Sequence, residues 1–517
     1  MNDLRVCLQT PWLLALIPAL VVLIPDRNTD WYWGVATRLT QLSLITVILQ
    51  LVWGVAQPQP LTLGIERTML ILILFLAVII LRFSRIYLRG EEGQSRYVRL
   101  LTLTTASSSL VVAAPGLDVI VLAWILGSFT MNGLLQHYPD RRAAQLAAHK
   151  KFVVSRVAEL CLLIACILIH HNLGTLDISQ VTARTALMGT LPSDLSIASI
   201  LIVIAVLLKT AQMPLHGWLM QVMEAPTPVS ALLHAGVVNL GGIVLLRLHV
   251  FLDKSVPAQV ILVVVGGLTF LLAGIVAMTR ISIKVRLAWS TCAQMGFLMV
   301  ECGLGLYPLA LLHLVGHSLY KAHAFLTCGT TVHEYLATRE RANVSKSPLT
   351  TILSQTLTVV ISTLLVAVAY RTLLTHTKPS GNDLAAVLTV GVGLAPILYR
   401  GFAEVRSLTG ALARYTFLLS LYLCWHRLSG LLIGNGNTRS LWLVGSFAAL
   451  LFTLHLVQSI VQASPASERW AAFRHRAFHG FYLDESFTRL IVALWPTRYR
   501  HHRPAQSPVA HLEKEYA

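Results

Sequence analysis

Long apolar runs, separated by short charged or proline-containing segments, fill most of this chain and restrict the folds open to it. Hydrophobic residues make up 55% of the 517 residues and charged residues only 12%, with a mean hydropathy of +0.68. This composition predicts an all-α polytopic membrane protein rather than a soluble domain. The candidate spans are residues 11–24, 32–54, 68–82, 100–114, 118–136, 152–169, 197–213, 229–248, 258–279, 287–303, 308–328, 349–370, 384–399, 415–433 and 441–462. Because a span needs about 20 apolar residues and several runs are shorter, we expect about 13–15 transmembrane helices.

Positive charge is concentrated between these runs, and the formal net charge is +17. The basic loops are Arg82–Arg99, Arg141–Lys151, Arg280–Arg286, Arg339–Lys346 and Arg400–Arg414. With fifteen spans, all of these loops and the C-terminal tail fall on one side. The positive-inside rule makes that side the cytoplasm and places the N-terminus outside. Orientation in a membrane therefore explains the charge better than nucleic-acid binding does.

The stretch 197–248 brings a lysine into a membrane-like environment beside expected helix breaks. Lys209 ends an apolar run, and His234 lies early in the next one. Three prolines are expected to break the helices here: Pro214, Pro226 and Pro228. We expect the first helix to stop at Pro214, because proline lacks an N–H and clashes with the preceding turn. An intramembrane lysine indicates function by default, and broken helices at membrane depth require cover from protein or water. The pattern favours a hydrated ion path over a lysine that reaches the interface beside an ordinary proline kink.

Residues 308–328 carry three titratable side chains on one face of a predicted helix. His313, His317 and Lys321 recur at every fourth position and therefore stack along the axis. Neutral imidazole both donates and accepts a hydrogen bond, so such a stack can relay protons. A single membrane histidine would more often be a packing residue, but three groups on one face favour the relay.

Two further charged residues have an open interpretation. Glu159 lies well inside its apolar run, where it either pairs locally with Arg156 or modulates a lysine nearby. Lys284 is either an interfacial residue or the inner end of a half-channel. Glu301, near the end of its helix, is assigned a structural role near the outer surface.

The tail after Ser464 differs from the rest of the chain in mixing arginines and histidines with aromatic residues. Segment 469–495 is typical of an amphipathic element that lies on the membrane or against a partner, and the alternative is a positively charged anchor without a specific partner. No metal site is expected, because the seven cysteines form no CxxC pair and most lie in apolar runs.

The run KTAQMPLHGWLMQVMEAPTPVSALLHAG resembles the proton-translocating membrane subunits of respiratory complex I and of Mrp-type cation antiporters. The helix 308–328 and the segment KVRLAWSTCAQMGF match the same family in order and spacing, and the resemblance extends over about residues 60–370. HAGVVNLGG and HSLYKAHAFL are most similar to the DabB branch, the membrane subunits of two-component inorganic-carbon accumulation systems in bacteria.

The resemblance assigns roles to individual residues. It implies that Lys209 is the central lysine of a broken seventh helix and His234 the histidine of the eighth. Lys284 would be a lysine of the connecting path. The polar row of the eleventh helix would be His313, His317 and Lys321.

Two family features are missing. Ile125 stands where a fifth-helix glutamate pairs with the central lysine, and Glu159 is the nearest replacement. The twelfth helix lacks the buried lysine or glutamate of the exit half-channel, and only Arg371 and Arg400 lie nearby.

The family implies an antiporter-like fold with two inverted five-helix repeats and broken helices. We divide the chain into N-terminal helices (1–99), a first repeat (100–248), a second repeat (249–433) and a last span with its tail (434–517).

The implied function is conduction of H⁺, or alternatively Na⁺, across the bacterial inner membrane. This flow would energise a cytoplasmic DabA-like zinc protein related to β-carbonic anhydrases. Zinc is then expected in the partner, and no cofactor or enzymatic activity in this chain. One alternative is a subunit of a complex I-like or Mrp-type antiporter complex, which predicts a full set of buried acidic and lysine residues. The other is a membrane anchor whose ion path has decayed.

Overall fold

The computed structural model describes residues 11–25, 28–55, 64–329, 348–374, 380–403, 408–433, 441–463 and 470–497. Within these ranges the chain is helical and contains no strand, which confirms the predicted all-α class. The helices are α1 Pro11–Leu14, α2 Thr29–Val55, α3 Ile65–Tyr87, α4 Gln94–Ala113, α5 Leu117–Leu135, α6 Arg142–Leu173, α7 Ile178–Leu187, α8 Ser193–Lys209, α9 Gly217–Gln221, α10 Thr227–Ala235, α11 Leu240–Arg247, α12 His249–Asp253, α13 Val256–Thr279, α14 Ile283–Gly303, α15 Tyr307–Leu326, α16 Pro348–Leu373, α17 Gly381–Ala403, α18 Leu408–Ile433, α19 Leu441–Ala463, α20 Ala471–Phe478 and α21 Glu485–Leu494.

The described ranges contain nine helices that are long and apolar enough to cross a membrane, counting α10 and α11 as one. Five more helices of 17 to 26 residues, α4, α8, α14, α15 and α18, also correspond to candidate spans. The first candidate span is not a continuous α-helix, because α1 is followed by a 3₁₀ segment, Ile17–Leu23, with Pro18 at its start. Proline cannot supply the N–H that a continuing helix needs.

Loops of like charge meet on one side of the bundle. The Tyr138 hydroxyl donates to Glu91 at 2.8 Å, and a guanidinium nitrogen of Arg141 lies 3.1 Å from the Glu224 carbonyl. The opposite face includes the loop pairing of Gly116 with Asp177. The loops near Glu91, Tyr138 and Glu224 therefore lie on one side, whereas Arg339–Lys346 and residues 404–407 of Arg400–Arg414 lie outside the described residues.

The expected basic loop Arg141–Lys151 is a helix in the structure. Residues from Arg142 onwards form the first turns of α6, which runs to Leu173. Lys150 is fully buried and Lys151 is 6% exposed, so neither is a loop charge. The nearby tail carboxylate of Asp484 explains why the ammonium group of Lys150 can be buried, since buried charges require a partner.

The α-helical path is interrupted three times between Lys209 and Leu240: before α9, between α9 and α10, and between α10 and α11. α8 ends at Lys209, five residues before Pro214, so the prediction that Pro214 itself stops the helix is wrong. Pro226 is the N-cap residue of α10 and Pro228 lies in its first turn, where proline is well tolerated. α10 ends at Ala235, and a 3₁₀ turn separates it from α11. The twelfth candidate span, by contrast, is one uninterrupted helix, α16.

The tail packs on the chain itself. α20 contacts α13, and α21 contacts α6. The Trp495 ring stacks on the His149 ring with 4.0 Å between centroids, and Arg142 donates to the Thr497 hydroxyl at 2.9 Å. The amphipathic character predicted for the tail is therefore used at least partly within the molecule.

Candidate ion-conduction site

Lys209 lies at the C-terminal end of α8 and forms a buried ion pair with Glu159 of α6. Its ammonium nitrogen is 2.8 Å from Glu159 Oε1, and the two side chains are 9% and 5% exposed. Arg156 binds the same carboxylate, at 2.8 Å from Oε2. The two interpretations of Glu159 therefore hold together, because this one carboxylate is shared between a local arginine and the central lysine.

The fifth-helix position that lacks a glutamate lies beside this pair. Trp124, next to Ile125, places its ring centroid 5.5 Å from the Lys209 ammonium nitrogen. An indole face attracts a cation but cannot accept its proton. Glu159 is therefore the carboxylate that can exchange a proton with Lys209.

A small cavity of about 20 Å³, enough for about one water molecule, adjoins Lys209. Its lining includes two cations, Lys151 and Lys209, and four serines, Ser107, Ser108, Ser128 and Ser155. Sequence reasoning missed Lys151, although Lys151, Ser155 and Glu159 recur at every fourth residue and share one helix face. It was missed because Lys151 was assigned to the basic loop Arg141–Lys151 rather than to a helix. Cations and hydroxyl groups around one space can hold water.

Several buried polar atoms near the helix interruptions have no hydrogen-bond partner among the described residues. They are Gln212 Oε1, Trp218 Nε1, Asn239 Oδ1 and both ring nitrogens of His234. Buried polar groups are nearly always hydrogen-bonded, so their concentration here indicates hydrated protein. His234 itself is fully buried, with its ring stacked on Phe325 at 4.5 Å between centroids.

The polar row of α15 faces the interior of the structure. The rings of His313 and His317 are 5.9 Å apart, and His317 Nε2 lies 3.1 Å from the His234 carbonyl oxygen. Lys321 is fully buried and donates to the Ser290 hydroxyl at 2.8 Å and to the Leu287 carbonyl at 3.1 Å. No carboxylate pairs with Lys321 within the described part of the chain.

The hydrogen bonds of His317 are suited to proton exchange. Nδ1 lies 2.6 Å from the assigned Oε1 of Gln294, while Nε2 faces a backbone carbonyl that can only accept. A neutral ring therefore carries its proton on Nε2 and accepts at Nδ1 from the amide of Gln294 in the flipped orientation. A charged ring donates at both nitrogens, so a rotation of the Gln294 amide accommodates either state.

Glu301 is a second residue whose contact sequence reasoning missed. It is 1% exposed, and its carboxylate lies 2.8 Å from His313 Nδ1. Its side chain is enclosed because α14 and α15 are antiparallel neighbours that bring the end of one beside the start of the other, whereas the structural role expected near the outer surface stays a prediction. Twelve positions of sequence separation gave no periodic signal for this contact.

Lys284 lies apart from the residues around Lys209 and from the row on α15. Its ammonium nitrogen donates to the Thr227 hydroxyl at 2.8 Å, at the start of α10 and on the side of the basic loops. The site thus consists of a lysine–glutamate group (Lys151, Arg156, Glu159, Lys209) and a histidine group (His234, Glu301, His313, His317, Lys321). Val237 and Leu240 line the cavity of the first group and follow His234 of the second.

The sequence of this chain matches a known family of membrane proteins. Residues 114–372 match the family model "NADH:quinone oxidoreductase/Mrp antiporter, TM". A "Probable inorganic carbon transporter subunit DabB" of Hydrogenovibrio crunogenus is 36% identical over 497 residues, covering 94% of this chain and 95% of that protein. A "Probable inorganic carbon transporter subunit DabB2" of Halothiobacillus neapolitanus is 36% identical over 451 residues, covering 84% of this chain and 80% of that protein.

A solved structure supports the fold. A chain of the Mrp complex from Dietzia sp. DQ12-45-1b superposes with a TM-score of 0.60 at 22% identity, covering 99% of this chain. This chain spans 62% of that chain's length. The antiporter-like fold predicted from the sequence is thereby confirmed. The chain belongs to the NADH:quinone oxidoreductase/Mrp antiporter transmembrane family and, within it, to the inorganic carbon transporter subunits DabB.

Proposed function

We propose that this chain conducts protons inward across the bacterial inner membrane as the membrane subunit of an inorganic carbon transporter. The flow energises a cytoplasmic partner resembling DabA. The observation that carries the proposal is the buried Lys209–Glu159 pair beside a cavity and a helix interruption. A buried ion pair is weak evidence for stability, whereas intramembrane ionisable residues are typical of ion pathways.

The charges of the lysine–glutamate group support exchange of a proton. Arg156 and Lys209 both bind the Glu159 carboxylate, and Lys151 lines the cavity beside them. The proton affinity of Lys209 depends on the water around it and on its distance from this carboxylate. A small change in hydration or in the position of Glu159 can therefore load or release a proton at Lys209. Sodium is the alternative coupling ion, with Glu159 and the cavity serines supplying oxygen ligands.

The link to inorganic carbon rests on the relatives, which are named as inorganic carbon transporter subunits. In the proposed system a zinc-containing partner hydrates CO₂ to bicarbonate on the cytoplasmic side. Within the described residues, no group of three His, Cys, Asp or Glu residues could hold a metal ion. The loops around Tyr138, Glu224 and Lys284 would face the cytoplasm, with the N-terminus outside.

Substitutions of Lys209 test the proposal. Lys209→Met keeps the length of the side chain without its proton and is expected to abolish carbon uptake and proton flux. Lys209→Arg is expected to fail as well, because arginine does not release its proton. Glu159→Gln should reduce uptake less completely. Membrane abundance is measured by blot, and substantial uptake by Lys209→Met would refute the proposed role.

The histidine group provides a second, independent test. His317→Ala and Lys321→Ala are each expected to abolish uptake, because they remove a proton-exchanging group from the interior row. His323→Ala is the matched control, since His323 is on the same helix but exposed. Normal uptake in both His317→Ala and Lys321→Ala would refute the relay.

Two alternatives are separated by reconstitution into liposomes with and without the partner. An Mrp-type antiporter subunit would exchange cations without dependence on inorganic carbon. A membrane anchor would recruit the partner but carry no flux that Lys209→Met removes. The absence of the family glutamate at Ile125 argues against the first alternative, and the connected row on α15 argues against the second.

A further inference from the structure

The histidine group ends at Glu301 and His313, and a second polar cluster begins beside it. This outlet cluster consists of Tyr370 on α16, Asp383 on α17, and Tyr422 and His426 on α18. None of these residues belongs to the pathway expected from the sequence. α18 packs against α15, which brings the cluster next to the histidine group.

The members of the outlet cluster are in hydrogen-bond contact or close to it. The Tyr370 hydroxyl donates to Asp383 Oδ1 at 2.7 Å and lies 3.1 Å from His426 Nε2. The rings of His426 and Tyr422 are 5.8 Å apart. Tyr422 is near enough to both Glu301 and Asp383 to interact electrostatically with each.

Two atoms of the cluster are buried without a partner among the described residues, the Tyr422 hydroxyl and His426 Nδ1. They belong to neighbouring side chains, and His426 is also the residue that contacts the Tyr370 hydroxyl. Both can donate or accept a hydrogen bond, and a bridging water needs two to four such partners. One or two waters would therefore complete a chain from Glu301 to Asp383.

The position of the cluster gives the chain a direction. The Trp425 indole nitrogen donates to the Pro308 carbonyl at 3.1 Å, which places this part of α18 at the start of α15. Lys284 and the basic loops lie at the other end of the bundle. Tyr422 and Tyr370 are 5% and 4% exposed, whereas Asp383, at the start of α17, is half-buried.

We propose that Tyr422, His426, Tyr370 and Asp383 form the outward-facing half-channel of this protein, between Glu301 and the face opposite the basic loops. This inference rests on the proposed function. It supplies an exit route for the proton, which the twelfth helix does not provide because it has no buried lysine or glutamate. A proton accepted by Asp383 passes along the hydroxyl and imidazole groups to Glu301. Each group gives up one proton as it receives another, so the cluster itself is unchanged after each passage.

The decisive experiment compares two tyrosines on the same helix. Tyr422→Phe removes the bridging hydroxyl. Tyr415→Phe is the matched control, because Tyr415 is equally buried on α18 but its hydroxyl bonds only to Ser362, outside the cluster. Proton flux is followed with a pH-sensitive dye in liposomes that contain the full chain and its partner. We expect Tyr422→Phe to reduce flux at least about tenfold and Tyr415→Phe to remain near wild type.

The Asp383 carboxylate, at the outer end of the outlet cluster, offers a second comparison, which separates proton exchange from packing. Asp383→Asn removes the proton-accepting group, whereas Asp383→Glu retains it. Loss in the first variant with recovery in the second supports the outlet. Equal loss in both, at normal membrane abundance, would assign Asp383 to helix capping by its bonds to Ser380 and would remove it from the route.

The outcomes also separate this inference from the proposed function. If Tyr422→Phe and Asp383→Asn conduct within about twofold of wild type while Lys209→Met does not conduct, the outlet is elsewhere and the proposed function stands. If Lys209→Met conducts as well as wild type, the proposed function fails and the outlet fails with it.

Discussion

Removal of the Asp484 carboxylate should detach the C-terminal tail from the membrane helices. Asp484 Oδ2 lies 2.5 Å from the Lys150 ammonium nitrogen, which also donates to the Thr488 hydroxyl at 2.6 Å. The Lys150 side chain is fully buried and that of Asp484 is 23% exposed. The carboxylate also fills the space beside Gly217, where a Cβ would overlap with it. Asp484→Ala therefore leaves a buried ammonium group without a counter-charge.

The free-energy cost of Asp484→Ala follows from this burial. Breaking a buried ion pair from one side costs about 3–5 kcal/mol, and the partial exposure of Asp484 favours the lower end. At about 1.4 kcal/mol per tenfold, a loss of about 3 kcal/mol raises the detached population roughly a hundredfold. The adjacent Glu485→Ala is the matched control, because its partner Arg489 is 78% exposed. That exposed pair contributes about 0–1 kcal/mol.

Limited trypsin digestion in mild detergent measures the detachment, since cleavage of an opened segment follows its population when reclosing is fast. The tail contains Arg474, Arg476 and Arg489 as cleavage sites. Lys150→Met combined with Asp484→Ala should recover most of the protection, because no unpaired charge remains buried. If Asp484→Ala is cleaved no faster than Glu485→Ala, the argument that this pair fixes the tail is wrong.

Two further substitutions have defined outcomes. Lys151→Met removes an amine from the cavity beside Lys209 and is expected to reduce proton flux at least about tenfold. Lys254→Met is the control and should leave flux unchanged, because the Lys254 ammonium group bonds to the Met188 carbonyl away from the cavity. Equal flux in both variants would exclude Lys151 from the path. Gly296→Ala would place a Cβ 2.6 Å from the Gly266 carbonyl oxygen of α13 and should lower the free energy of unfolding by about 1–3 kcal/mol. Gly393→Ala is the control and should not destabilise the protein, because the space around Gly393 is open. An unchanged melting temperature of Gly296→Ala would refute this packing argument.

Periodic patterns predicted the fold and three residues of the site. The apolar runs predicted the helices, because a membrane requires each span to be apolar along its whole length. His313, His317 and Lys321 were predicted as a row because helical spacing alone determines their common face. The structure places all three in one interior group, as the spacing requires.

The residues that sequence reasoning missed depend on contacts between distant segments. Glu301 meets His313 only because α14 and α15 pack antiparallel. Lys150 is buried because a tail residue more than 300 positions later supplies its carboxylate. A local reading of the sequence places both residues near a surface, since charged residues are rarely buried without a partner and the partner is remote.

α6 is where these separate findings meet. On one face, Lys151, Ser155 and Glu159 line or contact the cavity of Lys209. Lys150 points about 100° away from Lys151 around the helix and binds the tail. The tail also contacts the region of the interruption, since Asp484 lies against Gly217 and Gly480 lies against Trp289, which packs on His216. Under the proposed function, a partner bound to the exposed side of the tail would therefore contact an element that packs on α6, the helix that carries Glu159. Since the proton affinity of Lys209 depends on its distance from Glu159, α6 is the element through which such a partner would act on the proposed conduction.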